Sequence, residues 1–403
     1  MPKHIALLNI PAHGHVNPTL AMAEELVRRG HRVTYATTEE FAPTVARTGA
    51  DVLLYESTLE PKPSTEAPPA EFAAWLPLVL IMESARTLPE FEKHFADDLP
   101  DLLLYDRTLY LTGRVLAQKW NRPAAQLFPS FAYNENVTLD TITGDGGGVD
   151  DDHPARVAFR EHLRELARTH EVPPIPPEHF FTSPEDFAVA FVPKEFQPGG
   201  DTFGDDFAFV GPCLGDRAFQ GSWQPPASGE PVLLVSLGTA FNDRPEFFRT
   251  CVAAFSGVPW HVVLSVGGVD PAELGEVPPN IEVHPRVPQL AVLEKASVFV
   301  THSGMGSTME SLHYGTPMVT LPQTVEQAAI AHRVAELGLG TGLPEGGITA
   351  EGLRAAVLGL ASDAAVRERV RAMGERVRQA GGARRAADAL EAYLAHAQRP
   401  DQG

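Results

Sequence analysis

Short apolar runs, each followed by a stretch with helical spacing, set the rhythm of this chain. The run "HIALLNI" is too short and too evenly apolar for an amphipathic helix, and it reads as a strand buried on both faces. Pro18 to Arg29 then follows a helical period, with Asn17 as expected N-cap, Pro18 as first helical residue and Gly30 as C-cap. "HRVTYAT", "ADVLLY", "PDLLLYD" and "RPAAQLF" repeat the strand signal at βαβ spacing. From "PVLLVSLGTAF" the alternation restarts, and "WHVVLSVG", "NIEVHP", "ASVFVTHSG" and "TPMVTLPQ" continue it. Strands alternating with helices predict an α/β protein with doubly wound parallel sheets.

Two stretches break the alternation. Residues 56–95 carry an acidic, Pro-rich loop running into an apolar helix, and residues 129–182 carry a Gly/Asp-rich loop feeding a helix at about 154 to 170. A chain of 403 residues is too long for one ordinary core. The expected division is a first Rossmann-like domain over 1–200, a Pro/Gly/Asp-rich linker over 201–230, and a second Rossmann-like domain over 231–380. The helical segment 381–403, beyond Gly381 and Gly382, is expected to pack back on the first domain. Two such domains should face each other across a cleft, and open α/β sheets bind ligands at the carboxyl ends of their strands.

Charge narrows the choice of partner. Thirty-two basic residues against 52 acidic ones give a net charge of −20, which argues against nucleic acid and anionic membranes. A phosphate ligand would have to be held locally, by backbone N–H groups and helix dipoles. No stretch reaches the ~18 to 20 apolar residues of a membrane span, and the N-terminal run is short for a signal peptide, so a cytoplasmic protein is expected. Cys213 and Cys251 sit in apolar surroundings and read as packing residues. "VDDDH" (149–153) reads as a solvated acidic loop, and His and Cys show no zinc spacing, so metal-independent chemistry is expected.

Two stretches carry candidate chemistry. "NIPAHGHVNPTL" puts His13 and His15 at the tip of the first strand, and "THSGMGSTMES" delivers His302, Gly304, Gly306, Ser307 and Thr308 to a helix start. Glycines there let backbone N–H groups turn to an anion, while the spacing is neither GxGxxG nor a P-loop. The order "PAHGH", "SLGT", "VPQ", "THSGMGSTME", "PQTVEQ" resembles the nucleotide-sugar-dependent glycosyltransferases with two facing Rossmann-like domains, and within them the bacterial macrolide (natural-product) glycosyltransferases. The resemblance runs from about residue 3 to residue 390.

By that resemblance, Gln289 and Glu310 hold the ribose and the backbone at Val287 meets the uracil edge. His302, Ser307 and Thr239 contact the diphosphate, Ser236 and Gly238 shape the second loop, and Glu326 and Gln327 bind hydroxyls of the transferred sugar. Arg286 stands where many members carry a base-stacking tryptophan; a guanidinium plane can also stack, yet the choice between uridine and thymidine donors is left open. Gly306 replaces the asparagine of plant relatives. His15 is implied as general base with Asp106 as its partner, while His13 shapes the loop. Trp75, Leu78, Ile81, Met82, Phe128, Phe131 and Tyr133 are candidate linings of a hydrophobic acceptor pocket.

The resemblance therefore implies an inverting transferase that moves a hexose, glucose from UDP-glucose, to a hydroxyl of a hydrophobic natural product such as a macrolide. Its partners would be a small-molecule donor and acceptor, with no cofactor, no metal, no nucleic acid and no membrane, in a monomer or homodimer. The product would be a finished secondary metabolite or an inactivated antibiotic. A nucleotide-sugar 2-epimerase and a non-catalytic nucleotide-sugar-binding subunit are the alternatives.

Overall fold

In the computed structural model the described residues are 1–59, 69–138, 141–142, 150, 152–182, 185–215, 221–240, 242–343 and 348–397. The chain forms two compact units, one of Met1–Gly215 with Ala380–Gly403, the other of Asp216–Gln379. In the first unit, β1 (His4–Leu8), β2 (Arg32–Thr37), β3 (Asp51–Leu54), β4 (Leu102–Asp106), β5 (Ala124–Phe128), β6 (Ala188–Ala190) and β7 (Phe207–Phe209) pair in parallel in the order β3-β2-β1-β4-β5-β6-β7. Alternate residues of β1 and β4 feed opposite faces: Ile5, Leu7, Leu102 and Leu104 join one core, Ala6, Leu8, Leu103 and Tyr105 the other. Burial on both faces is why these strands read as unbroken apolar runs. The helices are α1 (His13–Arg28), α2 (Ala42–Ala46), α3 (Pro69–Phe95), α4 (Tyr110–Trp120), α5 (Pro154–Thr169) and α6 (His179–Thr182).

The second unit repeats the plan. Here β8 (Val232–Ser236), β9 (His261–Ser265), β10 (Ile281–His284), β11 (Ala296–Thr301), β12 (Met318–Thr320) and β13 (Gly340–Gly342) form a parallel sheet in the order β10-β9-β8-β11-β12-β13. Its helices are α7 (Pro245–Phe255), α8 (Gln289–Leu293), α9 (Met305–Tyr314), α10 (Val325–Glu336), α11 (Ala350–Ser362) and α12 (Ala364–Gln379). The last helix, α13 (Gly382–Ala397), belongs to the first unit and packs on α1. Ala386, Leu390 and Leu394 enter the core there, Arg29 Nη1 donates to Asp388 and Glu391 at 2.7 and 2.6 Å, and Tyr393 OH donates to the Ala124 carbonyl at 3.0 Å.

Three local expectations change. The segment 201–230 is not all linker: Phe207–Phe209 is the edge strand β7, too short to show a period in the sequence. The three-residue strands β6 and β13 were equally invisible for the same reason. Helix α1 begins at His13 rather than Pro18, because Ala12, with extended backbone angles, already accepts from His15 N and Val16 N at 2.9 Å each. Pro18 therefore sits inside the helix, where its missing N–H removes only the bond to Gly14. Gly30, at φ +91°, ends the helix as the glycine rule requires. Both cysteines are buried free thiols, and burial pushes each well up from its ordinary value. No helix among the described residues is long and apolar enough to cross a membrane.

Gly113 on α4 sets how closely that helix lies on β4: a Cβ there would stand 2.2 Å from Cδ1 of the fully buried Tyr105 ring. Gly113→Ala should therefore overpack this contact and cost about 1–3 kcal/mol, read as a lower urea midpoint for the first unit's transition.

Candidate functional site

In the first sheet the strand order turns at the β1/β4 pair, and open α/β sheets leave a crevice for ligands at such a point. The register pairs Leu8 with Tyr105, so the chain leaving β1 into α1 and the end of β4 lie side by side. His15, on the first turn of α1, meets Asp106, the last residue of β4, with Nδ1 and Oδ2 2.8 Å apart. Asp106 is 1% exposed and His15 keeps 26% of its side chain exposed. The other carboxylate oxygen, Oδ1, accepts from Thr108 N at 2.8 Å and Thr108 Oγ1 at 2.5 Å, capping the turn Arg107–Leu109. Asp106 thus caps a turn and partners a histidine at once.

Burial by itself would raise the Asp106 carboxyl; the adjacent His15 ring and the Thr108 donors outweigh it and hold the group below the usual carboxylate range. An ionised carboxylate only accepts, so His15 Nδ1 carries the hydrogen that meets it, and in the neutral tautomer Nε2 is the nitrogen left with a lone pair. Beneath the pair, Asn9 Nδ2 donates to the His15 carbonyl at 2.9 Å, to Thr19 Oγ1 at 3.2 Å and to Tyr35 OH at 2.9 Å, all but the carbonyl in buried contacts. Sequence reasoning missed Asn9 and Thr108; the one trace of Asn9 is a polar residue closing an otherwise apolar strand. His13 lies edge-on to Phe41 with ring centroids 4.9 Å apart, and its Nε2 is 3.8 Å from Glu40.

The second sheet turns at β8/β11, where Ser236 pairs with Thr301. Here His302 is wedged between two glycines. A Cβ on Gly238 would lie 2.6 Å from its Cε1, and one on Gly304 would lie 2.4 Å from its Nε2. Ser236 Oγ accepts from Gly238 N at 3.3 Å. Ser303 holds φ +65°, a left-handed angle uncommon for a side chain, and α9 starts from Gly304 with no side-chain cap. Ser303 Oγ and Thr308 Oγ1 are buried without a hydrogen-bond partner among the described residues, and nothing would meet a Cβ on Gly306 within 4 Å. Open space over an uncapped helix start with spare hydroxyls suits an anion.

Around that loop, Gln289 Nε2 donates to Ser307 Oγ at 3.2 Å and to Glu310 Oε2 at 2.6 Å, bringing those three together. Gln327 Oε1 accepts from Gln323 N at 2.8 Å while Thr324 caps α10 by accepting from Gln327 N, which leaves the Gln327 amide nitrogen as a donor. Glu326, Thr239 and Arg286 are exposed, with Arg286 and the half-buried Val287 on the loop from β10 to α8. The acceptor candidates separate. Ile81, Phe128 and Phe131 are 1%, 1% and 2% exposed, so these three are core side chains rather than pocket wall. Leu78 packs partly buried against the core, and Tyr133 stands edge-on to Phe128 at 5.9 Å. Trp75 and Met82 are exposed together with Val79, at helical spacing on one side of α3. Part of "VDDDH", Val149 and Asp151, lies outside the described residues, and among the described ones no three His, Cys, Asp or Glu side chains are placed to hold a metal ion.

Two Rossmann-like units, each gathering polar side chains where its strand order turns, define a class of nucleotide-handling α/β proteins. Residues 250–384 match the family model described as "Erythromycin biosynthesis protein CIII-like, C-terminal domain". The chain is 43% identical over 394 residues to NDP-glycosyltransferase YjiC of Bacillus subtilis (strain 168), covering 97% of each chain. It is 42% identical over 403 residues to the oleandomycin glycosyltransferase of Streptomyces antibioticus, covering 98% of this chain and 91% of that one. The solved structure of CalG4, the calicheamicin glycosyltransferase, superposes with a TM-score of 0.87 at 42% identity, over 99% of this chain and 100% of that one. The chain belongs to the bacterial natural-product glycosyltransferases of GT-B fold, enzymes that use nucleotide sugars.

Burial pushes His302 down to about 4, with the Ser236 backbone opposing it, whereas an exposed histidine titrates near 6.5. The unfolded chain then binds more protons between those values, so stability falls as pH is lowered from about 6.5 to about 4. His302→Gln should lose that part of the slope in thermal melts of the second unit taken across this window.

Proposed function

We propose that the enzyme transfers glucose from UDP-glucose, with inversion, to a hydroxyl group of a hydrophobic natural product of the macrolide or related polyketide class. The observation that carries this reading is the 2.8 Å contact between partly exposed His15 and buried Asp106. The acceptor hydroxyl gives its proton to His15 Nε2 as its oxygen bonds to the anomeric carbon. The bond from that carbon to the diphosphate oxygen breaks on the opposite face, and the electron pair leaves with UDP. The carboxylate of Asp106 fixes the ring tautomer and stabilises the imidazolium that forms.

Negative charge on the departing diphosphate is met by the start of α9, by Ser307 and Thr308, and by neutral His302, with no metal ion. Gln289 and Glu310 take the ribose, Val287 and Arg286 the base, and Glu326 and Gln327 the sugar hydroxyls. The macrolide class of acceptor is supported by the likeness to the oleandomycin glycosyltransferase, and the exposed Trp75 and Met82 offer it an apolar surface. Nothing in the geometry favours the epimerase or binding-subunit alternatives, since a nucleotide-binding half alone has no use for the His15–Asp106 pair.

Mass spectrometry of the protein with UDP-glucose, EDTA and a panel of macrolide, ansamycin and flavonoid acceptors tests the reaction. One added hexose on an acceptor is expected. Transfer from a TDP-sugar but not from UDP-glucose would overturn the uridine donor and point to Arg286, and a sugar converted without acceptor would restore the epimerase. His15→Ala should abolish transfer with donor affinity changed by less than about twofold, and Asp106→Asn should lower kcat on the order of 10² to 10⁴. Loss of donor binding in His15→Ala would refute the general-base role.

A further inference from the structure

Asn242 lies just beyond the β8 loop and is 9% exposed. Its Nδ2 donates to the Gly238 carbonyl at 2.8 Å. On its other side is Gly267, at φ +66°, where a Cβ would stand 2.3 Å from Asn242 Nδ2 and 2.6 Å from Oδ1. Gly267 N in turn donates to the Pro285 carbonyl at 3.0 Å, one residue before Arg286. Gly238, at φ +79°, backs directly onto His302. A continuous line of close contacts therefore runs from the loop after β10, through Gly267 and Asn242, to Gly238 and His302. Only glycine leaves room at both bends.

We propose that Asn242 is a positioning residue that aims the Gly238–Thr239 peptide at the donor diphosphate. In a trans peptide the carbonyl and the following N–H point in opposite directions. With the Gly238 carbonyl tied to Asn242, the N–H of exposed Thr239 faces away from Asn242, as a donor. Glycine at 238 makes the reverse orientation of this peptide accessible at little cost, and that orientation would turn a carbonyl oxygen toward the phosphates. The amide of Asn242 holds the donor orientation in place before the ligand arrives, as an electrostatic site requires. The inference rests on the reading of the second unit as the donor-binding half.

Calorimetry with UDP and NMR titration with uridine, on the full chain, separate the possibilities. Asn242→Ala should weaken UDP about tenfold, the size of one lost hydrogen bond to a charged ligand, and leave uridine within about twofold, because uridine has no phosphate to sense the peptide. Gly267→Ala, which displaces the Asn242 side chain without removing it, should weaken UDP in the same way. The double variant should be no weaker than Asn242→Ala by more than about twofold, since both changes act on one strut. UDP affinity unchanged in both single variants would overturn the proposal, as would equal losses for uridine and UDP, the mark of general loosening. If Asn242→Ala does not fold, Gly267→Ala carries the test alone. A wild-type protein that binds neither UDP nor TDP would instead bring down the donor reading, and this inference with it.

Discussion

The hydrogen-bond ladder between β1 and β4 is the constraint on which the His15–Asp106 pair depends. These strands are distant in sequence and adjacent in the sheet, with Leu8 opposite Tyr105. Buried cores lie on both faces of this sheet, so polar side chains gather at the strand ends, where open α/β sheets leave a crevice at a turn in strand order. His15 and Asp106 sit at those two ends. A carboxylate so deeply buried would be neutral by desolvation; a histidine ring on one oxygen and two Thr108 donors on the other keep it charged. The sheet therefore supplies proximity, and local hydrogen bonds supply the protonation state.

The second unit gathers its polar side chains by the same topology. A chain with net charge −20 has no general attraction for a diphosphate. The attraction has to be short-ranged, and the structure offers an uncapped helix start, spare hydroxyls and a histidine kept neutral by burial. Glycines at 238, 267 and 304 are consequences of that crowding: each stands where a Cβ would strike a neighbouring side chain. Here glycine provides closeness more than flexibility.

The return of α13 to the first unit links the ends of the chain. Gly382 N donates to the Val210 carbonyl at 2.7 Å, and Arg29 grips two carboxylates of α13. The ring of Tyr393 stacks on Phe187 with centroids 4.9 Å apart. The helix that completes the core around α1, whose first turn carries His15, is thus encoded at the far end of the sequence.

Much of this was legible in the residues themselves. Strands buried on both faces announce themselves as apolar runs, so the long central strands of both sheets and the parallel architecture followed from the sequence, while the family came from the resemblance of its ordered motifs. The motifs around His15, Asp106 and His302 stood out in the sequence because histidine, glycine and aspartate interrupt the ends of apolar strands there. Other features were decided only by tertiary contacts. Three-residue edge strands have no period to detect, and Phe207–Phe209 owes its pairing to β6. Ile81, Phe128 and Phe131 look like Trp75 and Met82 in composition, and only packing sorts core from surface. Asn9, Thr108 and Asn242 are defined by the particular oxygens their N–H and O–H groups reach, and a sequence names such donors without saying which oxygens those are.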